Sequence, residues 1–227
     1  MAACAVVIGT GGGIGSALAE ALRDESAHDI VHGFDRRALD VTDEASIAAA
    51  AAEVKAGPPP NLVIVATGLL HAGERGPEKS MAMLDADWLL RQYAVNAVGP
   101  ALVAKHFLPL FPRGQRGVFA ALSARVGSIS DNRLGGWYGY RAAKAALNQL
   151  IRTLAVEQKR INDRAIVVGL HPGTVDTRLS KPFQANVPAG QLFAPDRAAV
   201  QLLDVLDGLT VRDSGNLLAW DGTTIAP

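Results

Sequence analysis

The chain has 227 residues, with 22 Lys and Arg against 22 Asp and Glu, so neither a basic nucleic-acid surface nor an acidic tail is indicated. Apolar residues make up 49% and charged residues 19%, which excludes a disordered chain and supplies material for a substantial core. The single cysteine, Cys4, excludes an internal disulfide framework or a thiolate metal cluster and points to a reducing compartment. Apolar stretches are broken within about ten residues, too few for a membrane span. The first of them starts so near Met1 that no room remains for a cleaved signal. The expectation is a cytoplasmic protein with no membrane or nucleic-acid partner.

Cys4–Ile8 is a continuous apolar run ended by glycines and predicts a strand buried on both faces. Ile14, Leu18, Ala21 and Leu22 recur at helical spacing, and 23–28 reads as the polar exit of that helix. Ile30–Phe34 predicts a second strand, although His32 and Gly33 weaken the pattern. Thr42 and Asp43 can cap a helix through the alanine-rich stretch to Lys55, which Gly57 and the three prolines after it stop. A third strand is expected at 62–66 and a loop at 67–80. Asp85 opens a long helical region through Trp88, Leu89, Tyr93 and Val95, bent or interrupted by Pro100 and Pro109. Gly117–Leu122 predicts a fourth strand, Trp137 to Gln158 a helix, and 165–170 a fifth strand. The proline-rich stretch 172–195 reads as a long loop or lid, with 178–195 expected to cover a substrate. A last helix at 196–206 and a last strand at 216–220 follow. Strands alternating with helices predict an α/β fold, a doubly wound parallel sheet with helices on both faces, in one domain spanning 1–227.

The first strand runs into Gly9-Thr10-Gly11-Gly12-Gly13-Ile14-Gly15, directly before the first helix. In a doubly wound sheet such a turn lets the backbone approach a pyrophosphate, whose charge sits on free N–H groups and the positive end of the helix dipole. No Lys-Ser or Lys-Thr pair follows, which argues against a Walker-type loop. The turn alone does not choose between a dinucleotide and a methyl donor. Asp35 lies 20 residues after Gly15 at the end of the second strand, where a carboxylate can accept from an adenosine ribose. Arg36 and Arg37 follow at once and could hold the extra phosphate of NADP. A carboxylate there repels that phosphate, so the sequence leans toward NAD.

Tyr140 and Lys144 stand four apart at the start of a helix, which places phenol and ammonium on one face. An ammonium near a phenol favours the phenolate and lets it exchange a proton with an alcohol or carbonyl. Tyr138 has Ala142 four residues on and is set aside as a proton donor.

Together these residues resemble the short-chain dehydrogenase/reductase family over nearly the whole chain. Gly9, Gly13 and Gly15 match its Gly-xxx-Gly-x-Gly turn, and Leu39-Asp40-Val41-Thr42 its adenine-contacting stretch. Asn96 falls in its Val-Asn-x-x-Gly motif, and Tyr140 and Lys144 match its Tyr-xxx-Lys. Pro172, Gly173, Val175 and Thr177 look like its Pro-Gly segment over the nicotinamide, and 216–222 like its last strand ending in Asp-Gly. The stretch 123–148 and the closing Trp220-Asp221-Gly222 look more particularly like the branch of C-factor type signalling proteins and bacterial carbonyl reductases.

The resemblance implies a Rossmann fold and an NAD or NADP cofactor contacted also by Thr10, Ile14, Gly68, Asp40 and Val41. It implies Tyr140 as acid/base, Lys144 lowering its pKa and holding the nicotinamide ribose, and Asn96 ordering a water in the proton relay. It further implies a small carbonyl or alcohol substrate, and a homodimer or homotetramer built on the helices beginning near Asp85 and Trp137.

Three departures from the family pattern stand out. Ala124 occupies the place of the serine that hydrogen-bonds the substrate oxygen, with Ser123 the first candidate to replace it and Ser128 and Ser130 in the same loop. Losing one such donor costs on the order of 2.7 to 4 kcal/mol of transition-state stabilisation in other enzymes. The segment 65–68 reads Val-Ala-Thr-Gly where the family has Asn-Asn-Ala-Gly. Only four residues separate Asp35 from Asp40, too few for a crossover helix, so the third-strand region is expected to be reduced or absent.

Cys4 reads as a small buried strand residue, Arg113 and Arg116 as a solvated loop, and Trp137 and Phe183 as either packing or the wall of an apolar pocket. His71, His106 and His171 show no ligand spacing, so no metal is expected. Two functions stay open: an NAD(P)-dependent oxidoreductase on carbonyls or secondary alcohols, and a dinucleotide-binding signalling or regulatory protein of weak turnover, motivated by Ala124. A methyltransferase leaves Tyr140 and Lys144 without a role.

Overall fold

The computed structural model describes residues 3–24 and 28–227; part of the expected polar exit at 23–28 therefore lies outside the described residues. In chain order the elements are β1 (Cys4–Ile8), α1 (Gly13–Asp24), β2 (Ile30–Phe34), α2 (Glu44–Lys55) and β3 (Leu62–Val65). There follow α3 (Ala86–Tyr93), a π-helical segment (Ala94–Val98), α4 (Gly99–Phe107), β4 (Gly117–Leu122) and α5 (Tyr138–Ile161). The chain closes with β5 (Ala165–His171), β6 (Thr174–Val175), β7 (Leu192–Phe193), α6 (Pro195–Gly208), β8 (Leu217–Ala219) and β9 (Thr224–Ile225).

Seven strands form one sheet in the order β2-β1-β3-β4-β5-β8-β9, all pairs parallel except β8 with β9. The reversal of order at β1 and β3 is the switch point of a doubly wound fold, where a crevice opens at the strands' carboxyl ends. Along β1 the side chains alternate between two cores. Val6 and Ile8 pack on the face that also buries Ile47 of α2, Phe107 of α4 and Leu147 of α5. Ala5 and Val7 join Leu18 of α1 and Leu202 of α6 on the other. A strand flanked by apolar layers on both sides must be apolar throughout, which is why its sequence lacks alternation.

The expected reduction after the second strand is present. β2 is the sheet edge, and the chain passes from it into α2 through tight turns, with Leu39 N–H on Asp35 O and Asp43 N–H on Asp40 O. Asp43 caps α2 by accepting from Ala45 N, and Asp85 caps α3 by accepting from Trp88 N.

Several expectations need correction. The helical region from Asp85 is two α-helices joined by the π segment that carries Asn96, and Pro100 sits in the first turn of α4, where no N–H is missed. The strand expected at 62–66 ends at Val65. The loop 172–195 contains the paired strands β6 and β7 and a 3-10 turn, Lys181–Asn186. β9 was not foreseen, because a two-residue antiparallel strand carries no readable period.

Candidate active site

The glycine turn is closed by contact. Gly9 has φ +98°, its N–H donates to Phe34 O at 2.7 Å, and a Cβ there would lie 2.9 Å from the Ala66 backbone. A Cβ at Gly15 would overlap the Gly9 carbonyl, and one at Gly13 would lie 3.0 Å from Thr177 Cγ2. Only glycine lets the start of α1 pass this close to β3 and the 172–177 segment.

Two cavities open beside this turn, of about 580 Å³ and about 510 Å³, and both are lined by Gly11, Gly12, Ala66, Thr67, Gly68, Leu69 and Arg178. The first continues past Ile14 to Ser123, Tyr140, Lys144 and Pro172. The second continues past Gly9 to Arg36, Asp40, Val41, Thr42 and Arg91. Thr67 Oγ1 is buried between them without a hydrogen-bond partner. An elongated ligand with an anionic middle fits this arrangement, since the shared wall is glycine backbone at a helix N-terminus.

Not every residue expected at the cofactor reaches a cavity wall. Thr10 donates its N–H to Phe34 O and packs against Gly33, while Gly15 serves the turn's own packing. Asp35 Oδ1 accepts from the N–H groups of Arg37 and Ala38, at 2.9 and 3.1 Å, and so closes its own turn. Gly173 has φ +75° and packs on the Phe193 ring; Val175 is buried with Phe193 and Ala198. Thr177 lies against Gly13.

Tyr140 and Lys144 lie on one face of α5, the Lys144 Nζ 5.7 Å from the phenol ring centre. Lys144 is 1% exposed and donates to Leu122 O at 2.7 Å. Burial holds its ammonium down at about 7, against 10.5 for an ordinary lysine, and pushes the Tyr140 phenol above its ordinary 10. Removal of water therefore opposes the charged form of each group. The next residue of the same face, Asn148, receives the Ser123 hydroxyl on Oδ1 at 2.6 Å. Ser123 lines the first cavity because β4 ends at Leu122, which frees the side chain from strand alternation. Ser128 and Ser130 instead face each other, with Ser130 Oγ bound to Pro227 O.

Asn96 lines neither cavity. Its Oδ1 accepts from Leu69 N at 2.9 Å and its Nδ2 donates to Leu69 O at 2.8 Å, so it holds the wall that follows β3. The π segment places this side chain: one extra residue in the turn rotates it toward Leu69.

Sequence reasoning missed Glu78, Arg178 and Asn148. Glu78 is buried and accepts from Gly139 N at 3.1 Å, while its carbonyl accepts from Trp137 N. Trp137 stands at φ 52°, the one non-glycine residue with positive φ among those described. For so bulky a side chain this backbone is strained by roughly 1–3 kcal/mol. Its ring meets Phe183 at a tilt of 59° with centroids 5.0 Å apart, Phe183 meets His71 at 6.0 Å, and Trp137 meets Tyr140 at 6.3 Å. An aromatic wall thus stands beside the phenol. His106 pairs with Glu44 on the surface, and His171, mostly buried, is held neutral down to about 4 chiefly by desolvation.

A glycine-backed dinucleotide crevice with a buried Tyr and Lys at its end defines the class of nicotinamide-dependent oxidoreductases. Residues 9–200 match the family described as Enoyl-(Acyl carrier protein) reductase. The chain is 31% identical over 231 residues to 1-hydroxy-2-glutathionyl-2-methyl-3-butene dehydrogenase of a Rhodococcus species, covering 96% of each protein. It is 33% identical over 155 residues to C-signal of Myxococcus xanthus, covering 68% of this chain and 88% of that one. The solved structure of NADPH-bound carbonyl reductase from chicken fatty liver superimposes with a TM-score of 0.81 at 26% identity, covering 99% and 98% of the two chains. The chain belongs to the short-chain dehydrogenase/reductase family and is an NAD(P)-dependent oxidoreductase. Among the described residues no helix is long and apolar enough to cross a membrane.

Proposed function

We propose that this protein reduces the carbonyl of a small, largely apolar molecule to a secondary alcohol, and runs the reverse reaction at alkaline pH, with NADP(H) as its dinucleotide. The observation that carries the reading is Tyr140, buried and held protonated at the end of the crevice, with Lys144 beside it.

The glycine turn, Thr67 and Gly68 would hold the middle of the cofactor, the second cavity its adenosine end, and Lys144 and Pro172 the nicotinamide end. The bound nicotinamide supplies or accepts the hydride. A neutral phenol is an acid, so Tyr140 Oη gives its proton to the carbonyl oxygen as the carbon gains hydride, and the substrate leaves as alcohol. The resulting phenolate is stabilised by Lys144, which then takes up a proton; an ammonium has three N–H donors, of which Leu122 O engages one. Asn96 contributes by fixing Leu69 rather than by touching the reacting atoms. The Trp137, Phe183 and His71 wall favours an apolar or aromatic group next to the carbonyl.

The lean toward NAD rested on Asp35. With Oδ1 of that carboxylate engaged by its own turn and Arg36 and Arg91 lining the adenosine cavity, the field there suits a 2′-phosphate. The relative seen with NADPH supports the same reading.

A second reading, a dinucleotide-binding regulatory protein of slow turnover, is favoured by the Ser123 hydroxyl lying on Asn148 instead of free in the cavity. One experiment separates them: NADPH oxidation followed against a panel of aldehydes, ketones and quinones. Turnover that disappears in Tyr140→Phe supports the enzyme. Submicromolar NADPH binding without turnover on any compound supports the regulator.

A further inference from the structure

Asn148 stands one turn after Lys144 on α5 and receives the Ser123 hydroxyl on Oδ1 at 2.6 Å. That separation lies within the ordinary O–H···O range and below the roughly 2.7 Å at which N–H···O bonds begin, so the hydroxyl is the donor and the amide oxygen the acceptor. The pair holds this polarity although it leaves Asn148 Nδ2 buried without a hydrogen-bond partner among the described residues. Ser123 is itself 4% exposed, fixed at the end of β4 by its N–H on Leu170 O at 2.8 Å, and it lines the cavity that Tyr140 also lines. A serine hydroxyl has one proton and two lone pairs. With the proton committed to Asn148, Ser123 presents lone pairs alone to the cavity. It can accept a hydrogen bond from a bound molecule and cannot give one. A bare ketone has no proton to offer it, whereas a hydroxyl or N–H group elsewhere on the substrate does.

Resting on the carbonyl-reduction reading above, we propose that Asn148 is a positioning residue that makes Ser123 an acceptor. The preferred substrates are then carbonyl compounds bearing a hydroxyl or N–H group on the carbon next to the carbonyl. Tyr140 Oη serves the carbonyl oxygen, Ser123 Oγ accepts from the neighbouring donor, and the wall of Trp137 and Phe183 takes the apolar remainder. Discrimination arises because a molecule without the donor leaves a buried oxygen unsatisfied.

The test uses the full chain with NADPH and compares α-hydroxyacetophenone with α-methoxyacetophenone, which keeps the oxygen and loses its proton, and with acetophenone, which lacks both. The parent protein should favour the hydroxyketone over either other ketone by about tenfold, in kcat/KM and in Kd read from quenching of tryptophan fluorescence. Asn148→Ala releases the Ser123 proton, and the preference should fall to near one. Asn148→Asp should keep it, because a carboxylate accepts as the amide oxygen does, and Ser123→Ala should lose it. No preference in the parent protein, or a preference that survives in Asn148→Ala, overturns the proposal. Selective binding without turnover of any of the three ketones overturns the reduction reading and leaves the acceptor role of Ser123 standing. An unfolding curve like the parent's shows that Asn148→Ala is folded; where it is not, Ser123→Ala decides, and a preference kept in that variant overturns the proposal.

Discussion

A carboxylate oxygen of Glu78 lies 3.1 Å from the backbone N–H of Gly139, the residue just before Tyr140. Glu78 is 61 residues away in sequence, yet it satisfies one of the free N–H groups that open α5 and places negative charge at the positive end of that helix. Because it also holds Trp137 N–H through its carbonyl, it sets the direction from which the chain enters the helix. Glu78→Ala should lower stability by about 0.5–2 kcal/mol in denaturant unfolding, the range for losing a cap. It should also lower kcat more than it raises KM, while Glu78→Gln, which retains an acceptor, restores much of both.

Tyr140→Phe removes the proton and nothing else of comparable size. Turnover should fall by about 10²–10⁴-fold, the usual contribution of a general acid, while NADPH affinity measured by fluorescence stays within a factor of a few.

The same phenol predicts the pH dependence of direction. Because burial raises its pKa, the protonated form needed to reduce a carbonyl persists through neutral pH, and the deprotonated form needed to oxidise an alcohol appears only in alkali. Initial rates of the two directions across pH 6 to 10 should therefore run in opposite senses.

Lys144 carries a separate signature in stability. Its pKa is about 7 folded and near 10.5 in an ordinary lysine, so between these values the unfolded chain binds more protons. Stability should rise from pH 7 toward pH 10, and below pH 7 the burial of a charged ammonium is an undiminished cost. Thermal unfolding of Lys144→Met should lack this rise.

Ser123 and Ala124 make opposite predictions. With the Ser123 hydroxyl donating to Asn148, the carbonyl oxygen has Tyr140 as its main donor, unless the hydroxyl turns to the substrate. Ser123→Ala should cost about 10²-fold in kcat if it does turn. Ala124→Ser should raise kcat by adding a donor at the place where the family has one.

Much of the fold was legible because strands between two helical layers leave continuous apolar runs, as in Cys4–Ile8 and Ala165–His171, and because glycine turns and prolines mark where they stop. Tyr140 and Lys144 were legible because four residues is a distance the helix itself converts into proximity. Glu78 and the Ser123–Asn148 pair were not, since each meets its partner through the tertiary fold and none has a local pattern. The burial of the Tyr–Lys pair was not legible for a similar reason: spacing reports neighbours, while desolvation, which pushes the Tyr140 phenol up and the Lys144 ammonium down, depends on everything that covers them. That Asp35 Oδ1 closes its own turn by accepting from the N–H groups of Arg37 and Ala38 was likewise not legible, because a turn's hydrogen bonds leave no residue pattern.

Cys4 sits fully covered in β1, between β2 and β3, with its thiol pushed up by burial. The chain thus carries its single thiol at the start of its first-laid strand. A thiol-modifying dye should label the native protein no faster than that strand is transiently uncovered, so the labelling rate becomes a clock for opening of the sheet. Ligands that fill the crevice at the end of β1 should slow that clock, which makes dinucleotide occupancy readable without any substrate at hand.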